Sequence, residues 1–305
     1  MTHATPHSRE DARLARLRRL GVDALHAGRM DEARSHFEAA LAGARELGDG
    51  DLIDRAFCNL SAVEIESGGA ESWVPRLREI LVRNGDPANC RLAAYHIARA
   101  YALRGEHKKG LFYSRIARER SLSLGLPEWI GSSHNQVGNL LLAESRIDEA
   151  QEEFELALAA IPDSEEPVRA LVLDNLGYCR LLRRNWSEGF RYAVASLRMF
   201  RRLDFKLWQS RPHLTLAYGH LEIGRWHHAL RHAETALALS EAVGDVTGIK
   251  NSLYLLGEAA NLAGDADRAY GCFTDLQGRF FPGQSYIPTF LMTVDVRGLI
   301  NLKSS

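Results

Sequence analysis

Two histidines four residues apart, His228 and His232, could share a metal ion on one helix face, and His213, His220 and His227 lie close by in sequence. No HExxH pattern or companion carboxylate motif goes with them, so the sequence predicts no metal and no other cofactor. The cysteines Cys58, Cys90, Cys179 and Cys272 stand far apart without a CxxC pair, which suits reduced thiols in a cytoplasmic protein. No nucleophile stands beside a base, and Gly48 and Gly50 mark the end of a helical pattern rather than a phosphate loop. No enzymatic activity is predicted. What remains is the chemistry of recognition, carried by amides, tyrosines and arginines at corresponding places along the chain: Asn59, Tyr95, Arg99, Asn135, Asn139, Asn175, Tyr178, Arg211, Tyr218, Asn251 and Tyr254.

The elements that position these residues are set by a repeat. An apolar residue followed by a small one recurs inside helical patterns as Leu20-Gly21, Leu60-Ser61, Ile97-Ala98, Val137-Gly138, Leu176-Gly177, Leu216-Ala217 and Leu256-Gly257. The small residues are spaced 40, 37, 40, 39, 40 and 40 apart, too regular for chance and too long for coiled-coil heptads. Twelve residues after most of them comes a second small one, as Ala33, Gly110, Ala150, Gly189, Ala229 and Ala269, just past a short polar turn. Asp31, Asp148, Ser187 and Asp267 are placed to cap the helix that follows. Phe37, Phe154 and Phe273 come four residues after the second small position, on the same helical face. Gly48, Gly125 and Gly244 suit a left-handed helix end, and Pro162 cannot continue a helix.

Each unit therefore reads as helix, turn, helix, with small residues facing each other so that two antiparallel helices can approach closely. One pair cannot bury its apolar face alone, but stacked pairs can. The chain resembles the tetratricopeptide-repeat family over roughly residues 13–279, most specifically in the fourth unit, where Gly138, Ala150, Phe154, Ala157 and Pro162 stand at the family's small, small, aromatic, small and proline positions. Its lengthened period is similar to that of bacterial peptide-sensing regulators and kinesin light chains. The resemblance implies an all-α fold, a right-handed α-solenoid of about seven helix-turn-helix units. Three segments are expected: a flexible N-terminus over 1–12, the superhelix over 13–283, and a capping helix and tail over 284–305, with Ile287, Phe290, Leu291 and Val294 at helical spacing. Trp73 replaces a small residue in the second unit and Pro75 follows it, which predicts a helix starting near Glu71 or Ser72 and a local distortion.

On such an array the recognition residues fall on the inner faces of the first helices. Asparagine is a poor helix former with two halves of an amide to satisfy, and an extended peptide in a concave groove would satisfy both while tyrosines pack on its side chains. The bland alternative is a merely solvated polar face. In family members that grip a C-terminal carboxylate, three of five clamp positions correspond to Asn139, Asn175 and Arg211, while Asn135 and Thr215 replace a lysine and an arginine, so a complete clamp is not expected. The near balance of 38 basic and 39 acidic residues gives no reason to expect nucleic acid, and no apolar run is long enough to span a membrane. The peptide-sensing regulators carry a DNA-binding segment ahead of their repeats, where this sequence has about a dozen residues, so direct DNA binding is not expected. The expected partner is a protein or peptide segment in the groove, held by an adaptor or regulatory subunit; the runner-up is a cytoplasmic sensor of a short peptide that controls an effector. A basic stretch with Arg180, Arg183, Arg184, Arg198, Arg201 and Arg202 could also steer an acidic partner.

Overall fold

A computed structural model describes residues 6–298 and 301–303; the first five residues of the expected flexible N-terminus lie outside this range. Fifteen helices and no strand are present among the described residues. They fall into two compact units, one of residues 1–144 with 159–161 and one of residues 145–158 with 162–305.

The first unit holds α1 (Pro6–His26), α2 (Met30–Leu47), α3 (Gly50–Glu66), α4 (Ala70–Arg83), α5 (Pro87–Leu103), α6 (His107–Leu124) and α7 (Pro127–Ala143). Each helix packs on the next in sequence, and α1, α3, α5 and α7 also pack on one another in turn. The second unit holds α8 (Ile147–Ala160), α9 (Glu166–Leu182), α10 (Trp186–Arg202), α11 (Lys206–Glu222), α12 (Trp226–Val243), α13 (Val246–Leu262), α14 (Ala266–Phe280) and α15 (Ile287–Thr293). There α9, α11, α13 and α15 likewise form a packed series, with α10, α12 and α14 behind.

The close contacts are those the small residues require. A side chain at Gly21 would begin 2.4 Å from the ring of Phe37, and one at Gly257 would begin 2.4 Å from the ring of Phe273, sixteen residues on in both cases. At Gly177 the obstacle is backbone: an added Cβ would lie 3.0 Å from the Ala193 nitrogen and 3.1 Å from the Gly189 carbonyl oxygen. The phenylalanines of the repeat, Phe37, Phe154 and Phe273, are fully buried.

The turn inside each helical pair contains a residue with positive φ: Gly28, Gly68, Gly105, Ser145, Arg184, Gly224 and Gly264. Five are glycine, which adopts this conformation without steric cost. The glycines expected to end second helices do so, with Gly48, Gly125 and Gly244 left-handed at φ between 66° and 72°. The caps differ from expectation. Asn185 and Asp265, two residues earlier than Ser187 and Asp267, accept the amide hydrogens of Glu188 and Arg268, because the left-handed residue starts the next helix sooner. Asp31, Asp148 and Asp267 lie instead in first turns, where a carboxylate favours the helix dipole.

In the second unit of the repeat the helix starts slightly before the predicted Glu71 or Ser72 and runs unbroken over Ala70–Arg83. The α4 helix begins at Ala70, so Pro75 sits past the first turn and withholds one backbone bond. Trp73 lies against Phe57 with ring centroids 4.7 Å apart, an indole where the other pairs have a small residue. The closing helix is shorter than expected: α15 ends at Thr293, Val294 turns to extended backbone (φ −117°, ψ 121°), and the described residues after it, 295–298 and 301–303, are in neither helix nor strand.

Because backbone cannot move aside as a side-chain tip can, Gly177→Leu is expected to cost about 1–3 kcal/mol or more, whereas Lys108→Gln on an exposed surface changes little. Chemical denaturation of the two variants checks this, and equal midpoints would contradict the packing described.

Candidate functional site

In the first unit, Asn59 lies on α3, Tyr95 and Arg99 on α5, and Asn135 and Asn139 on α7. Asn135 is buried and the other four are half-buried. The Arg99 guanidinium grips Glu66 through both carboxylate oxygens, at 2.6 and 3.0 Å. The Tyr95 carbonyl accepts a hydrogen bond from the Gln136 amide at 2.8 Å. Beside them Arg91 is buried, with no carboxylate in contact among the described residues. Its guanidinium donates to Ser121 and Ser132 at 3.2 and 2.5 Å and lies within 5.0 Å of the Tyr95 and Trp129 ring centres. Burial brings its pKa down to about 10. Much of this face is thus bonded to itself.

The second unit places Asn175 and Tyr178 on α9, Arg211 and Tyr218 on α11, and Asn251 and Tyr254 on α13. Asn175 and Tyr178 are fully buried, and Tyr218 meets Tyr178 edge to face at 5.3 Å. Against this face lies the chain's own tail. The Leu302 amide donates to the Tyr178 hydroxyl at 3.1 Å, and the Leu302 carbonyl accepts from the Asn251 side chain at 2.8 Å. The Leu302 and Val296 side chains are buried. Lys303 reaches Asp174 with its ammonium and passes over the Tyr178 ring. Asp174, fully buried, also accepts from the Thr215 hydroxyl at 2.7 Å and lies 3.8 Å from the Arg211 guanidinium. Burial lowers the pKa of Lys303, and Asp174 counteracts part of that shift. Closer to α15, Arg297 pairs with Asp295 at 2.7 Å, Glu258 at 3.5 Å and Glu222 at 3.8 Å. Burial pushes the Glu258 carboxyl up to about 7 against the pull of Arg297.

Asp174, Thr215 and Glu258 are therefore part of this surface although the amide and tyrosine pattern passes over them. Their signal was position on the inner face; the tail that meets them has no helical period to announce it. Among the polar atoms of the face, the Arg211 Nε, the Tyr254 hydroxyl and the Glu258 Oε2 have no hydrogen-bond partner among the described residues.

The basic stretch is not a bare patch. Arg180 pairs with Glu155 at 2.9 Å, Arg202 with Glu166 at 2.8 Å, and Arg183 with Asp148, so the basic residues meet the acidic run that precedes them. Burial raises the Cys58 and Cys179 thiols to about 12 and also raises Cys90 and Cys272, which favours the protonated thiol over the thiolate.

Four histidines cluster between α11 and α12. The Nδ1 atoms of His213 and His232 lie 2.9 Å apart, and the His220 ring lies 5.1 Å from His228 and 5.5 Å from His232. Arg201 stands 3.3 Å from His213, and Phe190 covers His220 at 4.7 Å. Among the described residues, no three histidine, cysteine or carboxylate side chains are placed to hold a metal ion. Burial first, then neighbouring positive charge, brings His213 and His220 down to about 4 and lowers His232. A histidine unfolds to an ordinary pKa near about 6.5, so protons bind the unfolded chain first. The stability these neutral rings contribute is complete above that value and is lost as the pH falls towards about 4. Glu258, raised in the fold, acts in the opposite sense, and its stabilisation is lost as the pH rises towards about 7. The melting temperature is expected to drop between about pH 6.5 and about pH 5, and the double variant His213→Gln, His232→Gln is expected to drop less, since Glu258 is common to both. Parallel pH profiles for the two proteins would show that the cluster does not contribute.

No protein-family model and no curated protein sequence matches the chain. Solved structures do. A tetratricopeptide repeat protein from Parabacteroides merdae is 16% identical, covers 92% of this chain and 98% of its own, and superposes with a TM-score of 0.54. A Rap protein complexed with competence and sporulation factor is 13% identical over 95% of this chain and 97% of its own, at a TM-score of 0.58. The signal transduction ATPase with numerous domains from Pyrococcus horikoshii, which carries a tetratricopeptide repeat sensor, is 14% identical over 86% of this chain and 41% of its own, at 0.63. With these likenesses and the repeated helical pairs described above, the chain has the tetratricopeptide-repeat fold.

Proposed function

We propose that the chain is a peptide-binding or protein-binding array, an adaptor or regulatory subunit without catalytic activity of its own, that holds a segment of its partner along the face of α9, α11 and α13. The observation that carries this reading is the tail on that face: one residue's N–H and C=O are both taken, by Tyr178 and Asn251. Side chains on successive first helices can therefore read peptide backbone, while the spaces around Leu302 and Lys303 can read side chains. The residues Asn59, Tyr95, Arg99, Asn135 and Asn139 line the corresponding face of the first unit and are proposed to serve it in the same way. The bounds 13–283 for the array and 284–305 for the closing segment are proposed from the repeat pattern, although the first helix, α1, already begins at Pro6, within the segment expected to be flexible.

A second reading, a sensor of a short free peptide, is favoured by the likeness to the Rap protein, whose structure contains competence and sporulation factor. Both readings place the ligand on the same face and differ in what the ligand belongs to.

Decapeptides selected by phage display on the full chain are expected to bind about three- to hundred-fold more weakly to Tyr254→Phe and Arg211→Ala than to the wild type, with arginine at the upper end because its bonds are charge-assisted. Neither residue is hydrogen-bonded to the tail, so the loss reports on the added peptide. Lys108→Ala, on an exposed part of α6, is the control. Full affinity in both face variants would place the partner elsewhere and overturn this reading.

A further inference from the structure

The tail does more than close the last repeat. An apolar cap would need Leu302 and Val296 alone, yet the segment also carries a lysine into the interior against a fully buried carboxylate. Removing two charges from water costs several kcal/mol per ion and returns little net stability, and apolar residues of similar volume serve as well or better. Such a pair is expensive as a brace and effective as a selector, since a neutral or acidic side chain at that point leaves the buried Asp174 with only Thr215 and the more distant Arg211 opposite it. The fit is also incomplete. Arg211 Nε, the Tyr254 hydroxyl and Glu258 Oε2 are buried on the same face without a hydrogen-bond partner among the described residues, so the tail uses part of the hydrogen-bonding capacity available. An occupant that leaves buried polar atoms unsatisfied can be displaced by one that satisfies them.

We propose that the tail, through Val296, Arg297, Leu302 and Lys303, is an internal competitor for the face of α9, α11 and α13, and that the segment displacing it presents an apolar residue followed by a lysine or arginine. The apolar side chain takes the place of Leu302, its backbone takes the bonds of Tyr178 and Asn251, and the cation takes the place of Lys303 at Asp174. This rests on the reading that the face binds peptide, and it adds what the peptide looks like and what restrains it. Being tethered, the tail acts at an effective concentration on the order of millimolar, so a free peptide with the same contacts competes poorly until the tail is weakened.

The test uses the full chain and a fluorescein-labelled synthetic peptide of residues 292–303, titrated by anisotropy. Wild type is expected to bind it weakly, and Leu302→Ser with Lys303→Glu, which loosens the tail without touching the helices, at least tenfold more tightly. Adding Asp174→Asn to that variant, or placing glutamate at the peptide's final lysine, is expected to remove the gain. Because the tail variant could be poorly folded, hydrogen exchange on the wild type gives a second readout: saturating peptide is expected to speed exchange of the chain's own Leu302 amide. Equal affinity of wild type and tail variant, with no change in that exchange, overturns the competitor. If phage-selected decapeptides then bind both proteins alike, the binding reading stands and the competitor alone fails. If no peptide binds either protein, both fail.

Discussion

The backbones of α9 and α10 meet because neither Gly177 nor Gly189 carries a side chain: a Cβ on either would lie about 3.1 Å from the other's carbonyl oxygen. The rest of the molecule is arranged around contacts of this kind. When two helices approach so closely, the space beside the contact must be filled by something large and flat, which Phe37 does beside Gly21 and Phe273 beside Gly257. The apolar residues left on the outer sides of a pair then need another pair. The packed series α1, α3, α5, α7 and α9, α11, α13, α15 follow, and the faces that carry the recognition residues exist because those first helices stand side by side.

A contact that tolerates only small residues leaves a trace in sequence, so the helical pairs, their spacing and the glycine ends at Gly48, Gly125 and Gly244 could be read without coordinates. The indole on α4 was legible for the same reason, since at a small position it is a visible exception. Two caps were misplaced by two residues: at Asn185 the left-handed residue before it is Arg184, whose type does not announce the turn, whereas at Asp265 the preceding Gly264 does announce it and the expected cap was set two residues late. The tail was the larger miss. Its irregular path has no period, and the residues it meets lie 124 and 129 positions earlier, where no local rule connects them. The pairing of Arg180, Arg183 and Arg202 with preceding acids also depends on which helices become neighbours, so a stretch that reads as basic in sequence is locally balanced in space.

The two faces differ in what they keep available. In the first unit Arg99 is committed to Glu66, and Gln136 to the Tyr95 backbone, so the polar row there partly serves to hold successive helices together. In the second unit Tyr178 and Asn251 spend hydrogen bonds on backbone atoms of a segment that belongs to no helix, and such bonds can be exchanged for those of another chain without disturbing the array. The same residue types thus hold helices together in one place and an irregular segment of the chain in the other, decided by what lies opposite.

The tail also changes how the chain can assemble. Nearly every helix packs on its neighbour or next neighbour in sequence, a pattern of local contacts that folds quickly and can begin at any pair. The bonds from Leu302 and Lys303 back to α9 are of another kind, closing a loop of more than a hundred residues whose ends can meet only after α9, α11 and α13 stand in place. During synthesis α9 emerges well before the tail, so the face that Leu302 and Lys303 come to occupy passes through a period in which it is formed and open. On the proposal that the tail competes for this face, a partner present at that moment would meet no competitor and one arriving later would, so that the order of synthesis and encounter would influence occupancy as well as affinity.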